Sequence, residues 1–323
     1  MAATGAPSMS WDDLGVQAGF DASQSVVFGG VKYEFTGGVL GSGAFGCVYD
    51  AESESGERMA VKVLDAERMS AWAMRQYKSE CQLWALAGEH EHIVRYLGHQ
   101  RLGKWMFIFS EPVDGGELMD HIALRAQFTE AEAMAIVRQL LSAVERLHSL
   151  RIVHRDIKPE NVLCVSAPSE SAAGAAHPWH IKLCDLGHAR VLGEGDLLST
   201  PCGSTGYMAP EVRARKPYGM AVDAYAYGVV VHRLLWYAAP PSPASQVGAF
   251  VKAKSVGALA SFQSSSAFKR ALKPTVGPRW PAALADVVRR CAAADPAERP
   301  TSKEIVAVLE AATSAAAILG TSS

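Results

Sequence analysis

The chain has 323 residues, of which 49% are hydrophobic and 20% charged, so it carries enough apolar material for a packed core. By length it is one large domain or two modest ones. Lys and Arg number 31 against 33 Asp and Glu, and a net charge of −2 leaves no footprint for a general nucleic-acid or membrane-surface binder.

Residues 1–27 are rich in Gly, Ser, Asp and Ala and read as a flexible N-terminal arm. Met1–Ser10 has neither the basic flank nor the apolar run of a signal peptide, and Ala2 stands where myristoylation needs glycine. From Tyr33 to Ala51 the pattern is strand, turn, strand, with glycines in the turn. Glu57–Leu64 reads as a further strand, with Met59, Val61 and Val63 alternating with smaller or polar residues. Met69–Ala87 reads as a helix whose apolar positions are Trp72, Tyr77, Leu83 and Trp84. Strands near Ile93–His99 and Trp105–Ser110 complete a strand-rich first third.

The remainder is mostly helical. Thr129-Glu-Ala-Glu132 is a capping box. The helix after it sets Ala133, Ile136, Val137, Leu140, Leu141, Val144 and Leu147 on one broad face. Residues 165–180 form a Ser/Ala/Gly/Pro-rich insert expected to be an exposed loop. The longest apolar stretch, Ala224–Ala239, is interrupted by His232 and Arg233 and is too short to span a bilayer. Pro240–Pro281 is irregular, Trp280–Ala293 and Ser302–Ala317 read as helices, and 313–323 is a tail. The six cysteines are scattered with no C-x-x-C pair, which argues against a disulfide framework or zinc site and for a reducing compartment, cytoplasm or nucleus.

Five short motifs carry the chemistry. Gly41-Ser-Gly43-Ala-Phe-Gly46-Cys-Val48 lies between two strands, where glycines let a backbone fold over phosphates. No helix follows it, as a dinucleotide fingerprint requires, so by itself it is equally a structural hairpin. Met59-Ala-Val-Lys62 comes next; then His154-Arg-Asp156-Ile-Lys158-Pro-Glu-Asn161; then Asp185-Leu-Gly187; then Ala209-Pro-Glu211. Each is weak alone, and the ordered set is very specific.

In this set the sequence resembles the eukaryotic protein kinase family, from Val31 to Ala312. The resemblance implies an α+β fold of two lobes over 28–312: a small lobe, 28–111, with a five-stranded antiparallel sheet and one helix, and a larger helical lobe, 112–312, with ATP in the cleft. It implies that Lys62 holds the α/β-phosphates and is oriented by Glu80, with Glu67 the rival partner nearer the helix start. Asp156 would accept or orient the substrate hydroxyl proton, and Lys158 would steady the transferring phosphoryl group. Asn161 and Asp185 would be oxygen ligands to Mg²⁺. For the adenine edge it implies the carbonyl of Glu111 and the N–H of Val113. Leu40, Val48, Ala60 and Leu163 would sandwich the ring, and Glu117 would take ribose or a basic substrate side chain. Ser110 would be a small gatekeeper opening a back pocket to bulky ATP-competitive inhibitors.

The resemblance also implies regulation. Asp185–Glu211 would be an activation loop, with Thr200 as its phosphosite beside Ser199, Arg155 and Arg190 as the receiving cations, and Ser204 contacting Asp156 and Lys158. The phosphate would come from an upstream kinase or from autophosphorylation. Asp223 would hold the catalytic-loop backbone, and Arg299 would pair with Glu211.

Some positions depart from the family. Leu186 stands where Phe is usual, and Trp84 and Tyr96 are expected to compensate for it in a stack with His154. Cys184 reads equally as a buried inert thiol or a reactive one. Glu117 and Glu160 suggest protein substrates with basic residues near the target Ser or Thr, although a third acidic position is Trp236. Gly115-Gly-Glu-Leu118 and Ile181-Lys-Leu-Cys-Asp185 look most like calcium/calmodulin-dependent kinases. No EF-hand loop accompanies them, and Lys303 is the one lysine after Arg299, so calcium control is not expected.

The kinase-like stretch takes about 280 residues, so control is expected to come from the loop, arm, insert or another protein. The resulting expectation is an ATP- and Mg²⁺-dependent serine/threonine protein kinase with no nucleic-acid or membrane partner. A nucleotide-binding scaffold and a small-molecule phosphotransferase are the rival readings.

Overall fold

A computed structural model describes residues 20, 25–43, 46–124, 128–166, 179–238 and 282–320. The chain divides into two compact units, Met1–Gly88 with Arg95–Val113 and Glu89–Val94 with Asp114–Ser323.

The first unit is a sheet with one helix. Its strands are β1 (Ser25–Phe28), β2 (Val31–Gly43), β3 (Gly46–Ser53), β4 (Arg58–Asp65), β5 (Tyr96–Leu102) and β6 (Trp105–Ser110). They pair antiparallel in the order β1-β2-β3-β4-β6-β5. The sheet therefore has six strands where five were expected. The extra one is β1, taken mostly from residues assigned to the arm. Gly29 and Gly30 turn it back on β2 with φ of 61° and 85°, a backbone that glycine adopts without strain. Val26 is buried, and the Phe28 ring lies 4.3 Å from that of Phe109. Phe20, also in the expected arm, is buried edge-on against Phe35 and Trp105, with ring centroids 5.3 and 5.1 Å away. These rings join Tyr49, Val61 and Phe107 in the apolar core beneath the sheet.

Helix α1 (Ala71–Ala87) starts where the Ser70 side chain accepts the Ala73 N–H. Its buried face holds Ala73, Tyr77, Cys81, Leu83 and Trp84, and also Gln76 and Glu80. Trp72, expected on that face, is 46% exposed. Strand β5 begins three residues later than expected. Ile93 and Val94 belong to the second unit, where Ile93 bridges Leu183 and the Val94 N–H donates to the Leu183 carbonyl.

The second unit is mainly helical. It contains α2 (Leu118–Leu124), α3 (Glu130–Ser149), α4 (Pro210–Arg213), α5 (Ala221–Ala238), α6 (Ala282–Cys291) and α7 (Ser302–Gly320). Two short antiparallel pairs carry the loops of interest: β7 (Ile152–Val153) with β10 (Arg190–Val191), and β8 (Val162–Ser166) with β9 (His180–Leu183). The capping box at Thr129 forms in both directions. Ile136, Val137, Leu140, Val144 and Leu147 of α3 are fully buried with Leu284, Val287, Ile305 and Leu309.

The expected loop 165–180 is ordered at both ends. β8 extends to Ser166, and Trp179 is buried. Its indole N–H donates to Glu132 at 3.2 Å, and its carbonyl accepts from Gln139 at 2.6 Å. Residues 167–178 and 240–281 lie outside the described residues, as do the side chain of Trp236 and all of Trp280. Among the described residues, no helix is long and apolar enough to cross a membrane.

Candidate active site

In the first unit Lys62 stands on the β-ladder and Glu80 on helix α1. The hairpin β2–β3 pairs Gly41 with Val48 and Gly43 with Gly46. A Cβ on Gly46 would strike the Val63 carbonyl oxygen, whereas nothing lies within 4 Å of one on Gly41. The last glycine is therefore demanded by the approach of β4, and the first faces open space. Leu40 is exposed, Val48 half-buried and Ala60 buried. Lys62 lies in register between Val48 and Ile108, and its Nζ is 2.7 Å from Glu80 Oε1. Glu80 is 4% exposed, so an acid has been placed on the apolar face of α1 to meet this lysine. Glu67 precedes α1 and donates its N–H to Asp65. Ser110 pairs with Ala60 and Tyr96. The Glu111 N–H donates to the Arg95 carbonyl, and its carboxylate accepts the Arg95 N–H at 2.7 Å. Val113, the N–H donor in the expected adenine contact, is half-buried. Trp84 and Tyr96 form a ring pair 5.7 Å apart.

In the second unit a hydrogen-bonded network does the placing. Asp223 is wholly buried near the start of α5. It accepts N–H groups from His154 at 2.7 Å and Arg155 at 2.8 Å, and the His148 ring at 3.0 Å. Burial works to raise its carboxyl, but His148, His154 and the Arg155 amide hold it below the ordinary carboxylate range. Arg155 has φ of 71° and Asp185 φ of 63°, conformations costing about 1–3 kcal/mol each outside glycine. The Asp223 bond to the Arg155 N–H keeps the first in place. The Asp185 carboxylate accepts the Gly187 N–H at 3.1 Å and so keeps the second.

Asp156 sits at the end of this loop. Lys158 Nζ is 3.0 Å from its Oδ2, the Ser204 N–H donates to its Oδ1 at 2.7 Å, and Asn161 Nδ2 donates to Oδ2 at 3.1 Å. Burial alone would raise the Asp156 carboxyl, but Lys158, Ser204 and His154 bring it below its usual value. Lys158 is correspondingly raised: burial opposes its charge, while Asp156, Glu160 and Asp185 favour it. Lys158 also donates to Ser204 Oγ at 2.9 Å. The Asn161 carbonyl accepts the Cys184 N–H, and the Cys184 carbonyl accepts from His154 Nε2 at 3.1 Å. Leu186 is buried, and Leu163 is half-buried and bridged to Glu117.

The Asp185–Glu211 segment closes on the same network. Gly203 has φ of 96°, and a Cβ there would strike the Arg155 carbonyl. Arg155 donates to the His188 carbonyl at 2.6 Å and to the Tyr218 hydroxyl at 3.0 Å. That hydroxyl donates to the Thr200 carbonyl at 2.6 Å. Thr200 is exposed, and burial together with Arg155 lowers the affinity of Arg190 for its proton. Glu211 and Arg299 form a bidentate pair, both contacts at 2.7 Å, with Arg299 buried over the Tyr225 ring.

Three members of the network have no counterpart in the motif reading. His148 is the second ring on Asp223, Tyr218 links Arg155 to Thr200, and His188 Nδ1 lies 3.8 Å from Asp156 Oδ2. Burial lowers the His188 pKa against the pull of Asp156 and Asp185 and so disfavours the charged ring beside the acid. Only His188 carried a local signal, as the residue directly after Asp185-Leu-Gly187.

A sheet-and-helix unit with a half-buried Lys paired to a buried Glu, and a helical unit with an Asp–Lys–Asn loop anchored on a buried aspartate, define the protein kinase class. The protein kinase domain model matches residues 35–308, and the chain belongs to that family. Within it, the chain is 36% identical over 207 residues to a calcium/calmodulin-dependent protein kinase type 1 of Caenorhabditis elegans, covering 63% of this chain and 56% of that one. It is 35% identical over 205 residues to a calcium/calmodulin-dependent protein kinase of Metarhizium anisopliae, covering 63% and 50%. It is also 35% identical over 215 residues to a carbon catabolite-derepressing protein kinase of Secale cereale, covering 65% and 41%. The chain thus spans about half the length of the curated relatives it matches.

Proposed function

We propose that this chain is an active serine/threonine protein kinase that transfers the γ-phosphoryl group of Mg·ATP to protein hydroxyls. The observation that carries the reading is the bonded cluster of Asp156, Lys158 and Asn161, held on a backbone that Asp223 fixes. Phosphoryl transfer in this family needs positioning and charge neutralisation more than covalent help. Asp156, kept ionised, orients the incoming hydroxyl and accepts its proton. Lys158 and Lys62 neutralise phosphate charge, and Glu80 positions Lys62.

The donor set suits Mg²⁺. Asn161 uses its amide nitrogen on Asp156, at 2.8 and 3.1 Å, which leaves the amide oxygen as the ligand atom. Asp185 adds a carboxylate, and two hard oxygen donors match an ion that keeps most of its water. Bound there, the metal supplies charge neutralisation at the phosphates. In the first unit, Gly41, Gly43 and Gly46, with Leu40, Val48, Ala60, Glu111 and Val113, would receive the nucleotide.

The same proposal extends to control and substrate. A phosphate on Thr200 would enter the field of Arg155 and Arg190, whose mutual repulsion it would relieve. The donor would be an upstream kinase or a second copy of the chain. Glu160 Oε2 is a buried carboxylate oxygen without a hydrogen-bond partner. Burial, Asp120 and Glu160 raise the Glu117 carboxyl. An arginine near the target residue would relieve both. None of the six cysteines is in a disulfide, in keeping with the cytoplasm or nucleus.

Labelled ATP and a basic protein substrate test this directly. Wild type is expected to incorporate label into Ser or Thr; absence of incorporation by Thr200-phosphorylated protein would favour a nucleotide-binding scaffold. Thr200→Ala is expected to lower kcat/KM about tenfold or more relative to the phosphorylated chain. An unchanged rate would reject the switch.

A further inference from the structure

Away from the phosphoryl-transfer residues, the turn from His90 to Val94 and strand β9 bring a second set of ligand-type side chains together. Glu91, His92 and His180 each offer one donor atom, and these atoms lie within 4.8 Å of one another. His92 Nδ1 is 3.1 Å from the Ile181 carbonyl oxygen, so it donates there and Nε2 carries the lone pair. Metal-ligating histidines are commonly oriented in this way, with the other ring nitrogen tied to a carbonyl. Nε2 in turn lies 3.9 Å from Glu91 Oε2. The His180 ring stands edge-on to His92, with centroids 5.6 Å apart, and its Nε2 is 3.4 Å from the Glu91 carbonyl oxygen. The His90 ring is engaged elsewhere, its Nδ1 accepting the His92 N–H at 3.1 Å and its Nε2 facing Ser142 Oγ at 3.4 Å.

The backbone that carries these groups is already closed. The Leu183 N–H donates to the His92 carbonyl and the Val94 N–H to the Leu183 carbonyl, both at 2.9 Å. Gln139 holds the Ile181 N–H at 2.8 Å. Two ligand side chains on the turn and one on the strand therefore share one hydrogen-bonded frame.

We propose that Glu91, His92 and His180 bind one zinc-class divalent ion, with water completing four-coordination. Two imidazoles and a carboxylate suit Zn²⁺ and its borderline neighbours, and offer too few oxygens for Ca²⁺. Ligand bonds of about 2.0–2.1 Å set tetrahedral donors about 3.3–3.4 Å apart, so donors now within 4.8 Å of one another must close in by up to about 1.5 Å. Glu91 is exposed and His180 only half-buried, so both have rotamers to do so. The scattered cysteines argue against thiolate zinc, and this site uses none. The ion would clip the turn to β9, the strand that continues through Cys184 to Asp185.

Titration of the full chain with Co²⁺, followed by Zn²⁺ displacement and competition against a chromophoric chelator, tests the site without reference to phosphoryl transfer. The expected result is one equivalent per chain, with visible bands of four-coordinate cobalt and no thiolate charge-transfer band. Glu91→Gln and His180→Ala should each weaken binding at least tenfold, while far-UV circular dichroism and the metal-free Tm stay at wild-type values. Zn²⁺ should raise the wild-type Tm and leave that of His180→Ala unmoved. Absence of stoichiometric binding, equal binding by both variants, or a thiolate band would overturn the proposal.

Discussion

The two units hold their charged residues by different means. In the first, Lys62 owes its place to strand register, between Val48 and Ile108, and meets Glu80 on the apolar face of a helix. In the second, Asp156 and its neighbours owe theirs to polar contacts with buried groups, Asp223 above all, and the loops include two residues with left-handed φ. Register is a collective property of a ladder and its core, so it survives many single changes. A buried network is exposed to the loss of a single partner, because each remaining group is stranded without water.

The sharpest way to break this contrast is at Glu211–Arg299. Arg299→Ala leaves Glu211 buried and unpaired and should cost about 3–5 kcal/mol in chemical denaturation. Replacing both partners by leucine should recover most of that loss, as the charges fix geometry more than they stabilise. A loss under about 1 kcal/mol for Arg299→Ala would show that the pair is not buried in solution.

A pH series gives the next largest effect. His232 is buried on α5, and burial together with Arg233 pushes its pKa down to about 4. An unfolded histidine titrates near 6.5, so between these values the unfolded chain binds the extra proton. The contribution is present in full above about pH 6.5 and is lost as pH falls toward 4, in total about 3 kcal/mol. The difference in stability between wild type and His232→Gln should follow that window. A flat difference from pH 7 to 4 would place His232 in water.

Leu186→Phe should be milder. The side chain is buried in the second unit, and the added volume is expected to destabilise by about 1–3 kcal/mol and to lower the rate. A gain in both stability and activity would show a gap waiting for the phenyl ring.

What was legible in the sequence follows the same division. The His154–Asn161 loop, Asp185-Leu-Gly187 and the Thr129 capping box are readable because several of their partners lie within a few residues. Asp223 and Arg299 were readable only through family resemblance, since their partners are 69 and 88 residues away. His148 and Tyr218 gave no signal for that same reason. Phe20, within the expected arm, gives no local signal because it is a lone aromatic whose partners, Phe35 and Trp105, come from later strands. Strand β1, by contrast, carried a usable cue in Val27-Phe28-Gly29-Gly30-Val31, an apolar run broken by a glycine pair. Trp179 was hidden by the composition of the insert it terminates.

In the proposed function Asp156 performs the transfer and does not bind nucleotide. The most direct measurement compares Mg·ATP affinity and single-turnover label transfer in wild type and Asp156→Asn. We expect affinity within about threefold and transfer reduced by about 10²–10⁴. Equal transfer by the two proteins would contradict the assignment outright.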